Sequence, residues 1–368
     1  MDLLIYLSMT NTFILEKRRG YFRLISYLLL PLSALYYLAI SLINWLYDRD
    51  YVAVKGLNGK VVSVGNLTLG GSGKTPLVEY IGKMLQNQGW RIALLSRGYA
   101  RKERSPLTVV SDGKEILAEM SRAGDEPLLL AKNLPGAVVI VDKDRYQAGL
   151  LAKDNFKANL FILDDGFQYR KLKRDVNILV INGKYPFGNG RLFPAGILRE
   201  PLRSLKRADA IVISEPLGNS NDKAIREIIM RHKANLSVFH CYRSPSGFYQ
   251  VKGDDPIPDD YFKSKKIVCL SAIARPSAFE EDLKAMGFSV EKKYRFPDHH
   301  YFTQREIDAI AASARDIAAE AIITTQKDAM RLQALKGVKP PLIYLKIEMR
   351  LLQEGEFCQF LLNSLAPQ

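Results

Sequence analysis

The run Val61-Val62-Ser63-Val64-Gly65-Asn66-Leu67-Thr68-Leu69-Gly70-Gly71-Ser72-Gly73-Lys74-Thr75 constrains this chain more than any other stretch. It reads as a buried strand, a glycine-rich turn, then Lys-Thr opening an amphipathic helix through Leu77, Ile81, Met84 and Leu85. That order builds a phosphate cradle, because glycines let backbone N–H groups converge on an anion at a helix N-terminus. Thr68 to Thr75 would line the cradle; Lys74 would reach the β- and γ-phosphates, and the Thr75 hydroxyl would ligate Mg²⁺. Thr68 stands where the standard pattern has its first glycine, and a flexible glycine loop is the competing reading. The strand before and the helix after favour a nucleoside triphosphate.

A chain of 368 residues has room for about two domains, each with its own core. Cys241, Cys269 and Cys358 share no close spacing, so neither a disulfide framework nor a zinc site is implied. The formal charge of +14 points to an anionic partner such as nucleic acid, acidic lipid or a phosphorylated substrate. A solvated basic surface carries the same charge.

The N-terminal region narrows that choice. Leu24 to Tyr47 is uncharged over 24 residues, which as a helix spans about 36 Å against a bilayer core of about 30 Å. Lys17, Arg18, Arg19 and Arg23 precede it, and Tyr36, Tyr37, Trp45 and Tyr47 suit a membrane interface. The expectation is a membrane anchor, with a buried core helix as the alternative. Topology poses a problem: positive charge should keep the N-terminus in the cytoplasm, and one crossing would then export the phosphate loop. Either the helix enters with its N-terminus outside, or it lies in the interface, bent at Pro31. Both place the rest of the chain on the cytoplasmic face.

Beyond the anchor, Val- and Ile-rich strands alternate with amphipathic helices, the pattern of a parallel sheet covered on both faces. Strands are expected at Val61–Asn66, Arg91–Gly98, Ala137–Asp142, Asn159–Asp165 and Val176–Asn182. Pro216, Gly218, Pro245, Pro256 and Pro258 interrupt the rhythm, which resumes with Lys266–Ile273, Ser289–Phe296, Ala321–Thr325 and Pro341–Ile347. The expected organisation is an anchor over 1–50, a P-loop core over 51–215, and a smaller α/β domain over 216–368.

Four further segments carry candidate chemistry. An apolar strand ends in Asp164-Asp165, 90 residues beyond Lys74, where a carboxylate can hold Mg²⁺ directly or through water; Asp-Asp-Gly also makes an ordinary turn. Asp125, before a helix, is by itself a helix cap. Phe296-Pro297-Asp298-His299-His300-Tyr301 holds two of the four histidines without the spacing of a zinc site, leaving proton transfer as the better role. The loop Gly188 to Leu202 is dense in glycine, proline and charge; Arg199 can clamp phosphate and Glu200 can assist Mg²⁺, or both belong to a surface turn.

Together these motifs resemble the tetraacyldisaccharide 4'-kinase family. The likeness runs through Gly65-Asn66-Leu67-Thr68, Gly70 to Pro76, Ser96-Arg97-Gly98-Tyr99, Gly124-Asp125-Glu126-Pro127 and Asp164-Asp165-Gly166-Phe167-Gln168. It continues in Phe187 to Gly190, Pro194-Ala195-Gly196 with Leu198-Arg199-Glu200, Phe296 to His299, and Gln326-Lys327-Asp328-Ala329. The family shares the missing first glycine, but has His where this chain has Tyr169. The resemblance implies transfer of the ATP γ-phosphate to the 4'-hydroxyl of an acylated glucosamine disaccharide 1-phosphate, giving lipid IVA at the inner membrane. It further implies Asp125 as base paired with His299, Lys74 and Arg199 on phosphate, and Asp164, Asp165, Gln168 and Glu200 with Thr75 as the Mg²⁺- and phosphate-ordering set. Asp125 and His299 fall in different expected domains, so closure before chemistry is expected. Membrane lipids are the expected surface partners, nucleic acid is not expected, and the expected state is a monomer. Arg97, Arg101, Lys102, Arg104, Arg203, Lys206 and Arg207 are expected to meet anionic headgroups or the substrate 1-phosphate.

Rival readings fit less well. A partitioning-type ATPase has a signature lysine where this chain has Leu69, and Gln326-Lys327-Asp328 lacks the spacer of a guanine-reading motif. A membrane-tethered nucleotide switch remains as the non-enzyme alternative, with nucleotide binding but no lipid-dependent turnover.

Overall fold

The computed structural model describes residues 25–98, 101, 103, 106–214, 221–258 and 265–366. Leu24, the basic residues Lys17, Arg18, Arg19 and Arg23, Tyr99, Lys102, Arg104 and the expected boundary residues Glu215, Pro216 and Gly218 lie outside them.

Two compact units emerge. In chain order the first contains helix α1 (Leu30–Asp48), β1 (Lys60–Gly65), α2 (Lys74–Asn87), β2 (Ile92–Ser96), β3 (Thr108–Asp112), α3 (Asp125–Asn133), β4 (Val138–Val141), α4 (Arg145–Phe156), β5 (Leu160–Asp164), β6 (Val176–Asn182), β7 (Ala210–Ser214) and α5 (Asn221–His232). Strand β8 (Ser237–Gln250) then leads into the second unit, which holds β9 (Pro256–Ile257), β10 (Lys266–Ser271), α6 (Pro276–Ala285), β11 (Ser289–Arg295), α7 (Gln304–Asp316), β12 (Ala321–Thr325) and α8 (Gln326–Leu332). Strand β13 (Leu342–Leu351) returns the chain to the first unit, which closes with α9 (Glu354–Leu365).

The first unit's sheet runs β8-β7-β6-β1-β5-β2-β4-β3, parallel throughout except for β3 at its edge. Alternate residues of β1 enter opposite layers: Val62 and Val64 pack with Leu77, Ile81 and Leu85 of α2, while Val61 packs with Ala148 and Ala152 of α4. Burial on both faces explains why its central strands are near-continuous apolar runs rather than alternating ones. The second unit repeats the design on a smaller scale, with parallel order β11-β10-β12-β13. There Val268, Leu270 and Ile322 meet Ile307 and Ile310 of α7, and Ile267, Cys269 and Ile323 meet Phe279 and Leu283 of α6.

This division differs from the one expected. The first unit extends to Arg243 and regains Met349 to the C-terminus, whereas a change near residue 215 was anticipated. The reason is packing. Residues 237–241 of β8 add in register to β7, and Phe357, Leu361 and Leu365 of α9 fill the α2 face of the first core.

Helix α1 is long and apolar enough to cross a membrane, spans about 28 Å, and is 6% buried over its apolar window. Pro31 sits in its first turn, where the missing N–H costs nothing, and a short helical turn over 25–28 precedes it. Its two faces are chemically opposite. Leu32, Leu35, Leu38 and Leu42 are exposed, while Ser33, Tyr36 and Asn44 turn polar groups toward the first unit.

Candidate active site

The phosphate loop leaves β1 at the carboxyl edge of the parallel sheet, where ligands of such sheets bind. Close packing fixes its root: a Cβ on Gly65 would lie 2.5 Å from the Phe167 Cβ, so only glycine lets the two turns touch. Gly73, at φ 86°, ends the loop in the left-handed conformation that caps α2. Asn66, fully buried, cross-braces the turn: its Nδ2 donates to Ser72 Oγ at 3.0 Å, and its carbonyl accepts from Gln168 Nε2 at 2.9 Å. Ser214, at the end of β7, donates to the Ser72 carbonyl at 2.8 Å.

A second segment, residues 192–200, lies along this loop as a strap. The Leu69 amide donates to the Ile197 carbonyl and the Arg199 amide to the Leu67 carbonyl, both at 2.7 Å. The Arg199 guanidinium therefore reaches Asp165 Oδ1 and Oδ2 at 2.8 and 2.9 Å and Asn66 Oδ1 at 3.2 Å. Lys74 Nζ stands 3.5 Å from the same Asp165 carboxylate.

The adjacent aspartates have opposite electrostatics. Burial alone would raise Asp165, but Arg199 and Lys74 hold its carboxyl well below the usual carboxylate range. Asp164 is 3% exposed, and burial, with the charges of Glu126 and Asp165, pushes it up to about 7 against the pull of Lys74 and Arg145. Asp164 Oδ1 and Gln168 Oε1 are buried and find no hydrogen-bond partner among the described residues. Buried oxygens of this kind are costly unless something else occupies them. Thr75 follows Lys74 in the first turn of α2.

Glu200, expected beside the Mg²⁺ ligands, accepts from Arg207 at 2.6 Å, Ser204 at 2.9 Å and Asn44 at 3.1 Å through one oxygen. Asp125 starts α3, is 5% exposed, and accepts from the Glu126 amide at 3.0 Å. His299 belongs to the second unit, in a left-handed conformation (φ 63°), with its amide on the Ala272 carbonyl at 3.2 Å. Lys327 Nζ lies 3.4 Å from its Nε2, and Asp298 pairs with both at 3.5 and 3.7 Å. Among the described residues no three His, Cys, Asp or Glu side chains gather as a metal cluster.

Residues 25–366 match the family model described as tetraacyldisaccharide-1-P 4'-kinase. The tetraacyldisaccharide 4'-kinase of Syntrophus aciditrophicus is 35% identical over 339 residues, covering 90% of this chain and 91% of that one. The chain belongs to this family, and it is a kinase. The tetraacyldisaccharide 4'-kinase of Aquifex aeolicus is 38% identical over 318 residues, 84% of this chain and 91% of that one. A crystal structure of LpxK from Aquifex aeolicus in complex with ATP superposes with a TM-score of 0.75 at 34% identity, covering 93% of this chain and all of that one.

Within the first unit, the expected residues Thr68 to Thr75, Lys74, Arg199, Asp165 and Gln168 converge. Asn66, Ser214, Glu126 and Arg145 were not anticipated as site residues. Asn66 and Glu126 stood inside recognised motifs, so their spacing was a usable signal. Ser214 arrives from the end of β7 and Arg145 from the first turn of α4, and their sequence positions do not by themselves connect them to the phosphate loop.

Proposed function

We propose that this chain transfers the γ-phosphate of ATP to the 4'-hydroxyl of a tetraacyldisaccharide 1-phosphate, giving lipid IVA, at the cytoplasmic face of the inner membrane. The observation that carries the reading is the meeting of Lys74, Arg199 and Asp165 at the phosphate loop of a chain of this family. Lys74 and Arg199 are the cations that neutralise charge on the transferring phosphoryl group, the dominant requirement of this chemistry. The unsatisfied Asp164 Oδ1 and Gln168 Oε1 with the Thr75 hydroxyl form a hard-oxygen set that suits Mg²⁺. The metal, when bound, offsets developing charge on the phosphate oxygens. Glu200 supports the site from behind by holding the strap through Arg207, Ser204 and Asn44.

Asp125 is assigned as the base that accepts the 4'-hydroxyl proton, with His299 as its partner in the family's pairing. A general base of this kind contributes about 10²–10⁴-fold. The exposed apolar face of α1 docks the protein on lipid, with Tyr37 and Trp45 at the interface. The test is transfer of labelled γ-phosphate to tetraacyldisaccharide 1-phosphate in detergent micelles, comparing the parent with Lys74→Ala and Asp125→Asn. Labelled lipid from the parent, with both variants impaired, supports the assignment. ATP hydrolysis without labelled lipid would replace the kinase reading by the tethered switch.

A further inference from the structure

A helix that only tethers a protein to lipid needs no particular contact with the catalytic loops. Helix α1 has such contacts, and they form one connected series. Ser33 Oγ donates to the Leu192 carbonyl at 2.9 Å, Tyr36 Oη to the Arg199 carbonyl at 2.9 Å, and Asn44 Nδ2 to Glu200 at 3.1 Å. Residues 33, 36 and 44 lie on one stripe of the helix, opposite the exposed leucines. Arg170 secures the far end by donating to the Asn44 carbonyl at 3.1 Å and pairing with Asp48 at 2.6 Å. Every target of the stripe lies in the strap or the loop that follows it, and the strap is hydrogen-bonded along the phosphate loop.

Arg199 is consequently gripped at three points. Tyr36 holds its carbonyl, the Leu67 carbonyl takes its amide, and Asp165 with Asn66 takes its guanidinium. Removing the Tyr36 grip frees the Arg199 carbonyl, while the rest of the strap stays pinned by the Leu69–Ile197 and Phe193–Leu198 backbone bonds, so the displacement falls on the residue that carries the guanidinium. Positioning within about an ångström matters greatly in phosphoryl transfer.

We propose that α1 is a working part of the active site, and that Tyr36, with Asn44, is a positioning residue that sets Arg199 through the strap. The proposal rests on the assignment of Arg199 to the transferring phosphate, and it makes the membrane helix and the phosphate loop one mechanical unit. Coupling of this sort needs a direct energetic test, since spatial continuity alone does not establish it.

The experiment is a double-mutant cycle on the full-length protein in detergent micelles, with Tyr36→Phe, Arg199→Ala and the pair. Transfer kinetics on tetraacyldisaccharide 1-phosphate are measured beside co-sedimentation with phosphatidylglycerol-containing vesicles. Loss of one hydrogen bond at Tyr36 should lower kcat about threefold to tenfold, with lipid KM and vesicle retention unchanged. In the Arg199→Ala background the same substitution should have little further effect, because its route to the phosphate is already gone. Rescue by keeping the ring is excluded by design: Phe retains the packing and lacks only the hydroxyl. An equal loss in both backgrounds would overturn the proposal in favour of a purely structural contact. A change confined to lipid KM or vesicle retention would overturn it in favour of simple tethering. Normal turnover of Arg199→Ala would remove the Arg199 assignment itself, which distinguishes failure of the site reading from failure of the helix coupling.

Discussion

Each unit holds a fully enclosed aspartate near the carboxyl end of a parallel strand, Asp328 in the second and Asp164 in the first, and the two differ in how they are partnered. In the second unit Asp328 is fully enclosed and fully partnered: it accepts from the Ala272 amide at 3.1 Å, Thr325 Oγ1 at 2.7 Å and Arg331 at 2.8 Å. Arg331 in turn donates to the carbonyls of Ala272 and His300, so the pair clamps the two ends of the turn that presents His299. In the first unit Asp164 is equally enclosed, but one oxygen finds no hydrogen-bond partner among the described residues and its carboxyl is pushed up to about 7 by burial and neighbouring acids. The satisfied aspartate builds a loop. The unsatisfied one stores a cost that a ligand can relieve.

The largest effect expected from this contrast is on stability, in the second unit. Asp328→Ala strands a buried guanidinium, a lesion worth about 3–5 kcal/mol. Urea unfolding followed by circular dichroism should show a midpoint well below that of the parent. A change under 1 kcal/mol, about the size of a surface pair, would mean that the clamp is not what holds the His299 turn.

Asp164→Asn should do the reverse. Turnover should fall by about 10²–10³-fold, the range for losing one electrostatic contact at a transferring group, with no loss of thermal stability. A raised carboxyl contributes stability that is complete below its unfolded pKa and is lost as pH rises through about 7. The neutral amide avoids that loss, so the variant's melting temperature should gain on the parent's as pH rises from 3.8 to about 7 and stay level above it. A gap in melting temperature that does not vary with pH would remove the proposed asymmetry between the two aspartates.

These differences bear on what was legible in the sequence. The phosphate loop, the Asp164-Asp165 strand end and the parallel alternation were readable because each is a local pattern with its own physical cause. The strap could be picked out as a functional loop by composition, but Glu200's attachment to Arg207 and Asn44 could not, since those partners are joined only by folding. Strand β7 is as apolar as its neighbours, but it follows the irregular, charged loop after β6 directly, without an α-helix of the alternating rhythm to mark it. The return of β13 and α9 to the first unit had no local mark at all. A helix whose apolar face fits a distant core looks, in sequence, like one that fits its neighbour.

Acid should separate the units further. Burial would raise Glu280, but Arg295 at 2.6 and 2.8 Å and Lys293 at 2.7 Å hold its carboxyl below the ordinary 4.5. Its contribution to the second unit is present above that value and is lost as pH falls through the lowered folded pKa. Glu280→Gln should therefore destabilise the protein at neutral pH, with the gap from the parent closing as acid carries the medium below the ordinary carboxylate range. A gap of constant size would assign the effect to packing rather than charge. The change expected is smaller than at Asp328, because both cations stay about one-third exposed.

The smallest effect concerns the departure from the family pattern at Tyr169. Its hydroxyl donates to Asp144 Oδ1 at 2.8 Å, and Asp144 caps α4 by accepting from the Tyr146 amide at 3.0 Å. The guanidinium of Arg145 packs over the Tyr169 ring at 4.6 Å from its centre, 6% exposed, and its charge acts on Asp164 and Asp165. The phenol thus fastens the turn while its ring supports the cation. Tyr169→Phe removes the first role and keeps the second, and should cost about 0.5–1.5 kcal/mol of stability with turnover lowered only a few-fold. Tyr169→Leu removes both, and its additional loss of turnover over Phe measures what the stacked ring adds to the placement of Arg145. If Phe and Leu were equally active, Arg145 would be held by its surroundings alone, and the aromatic at this position would belong to the scaffold rather than to the site.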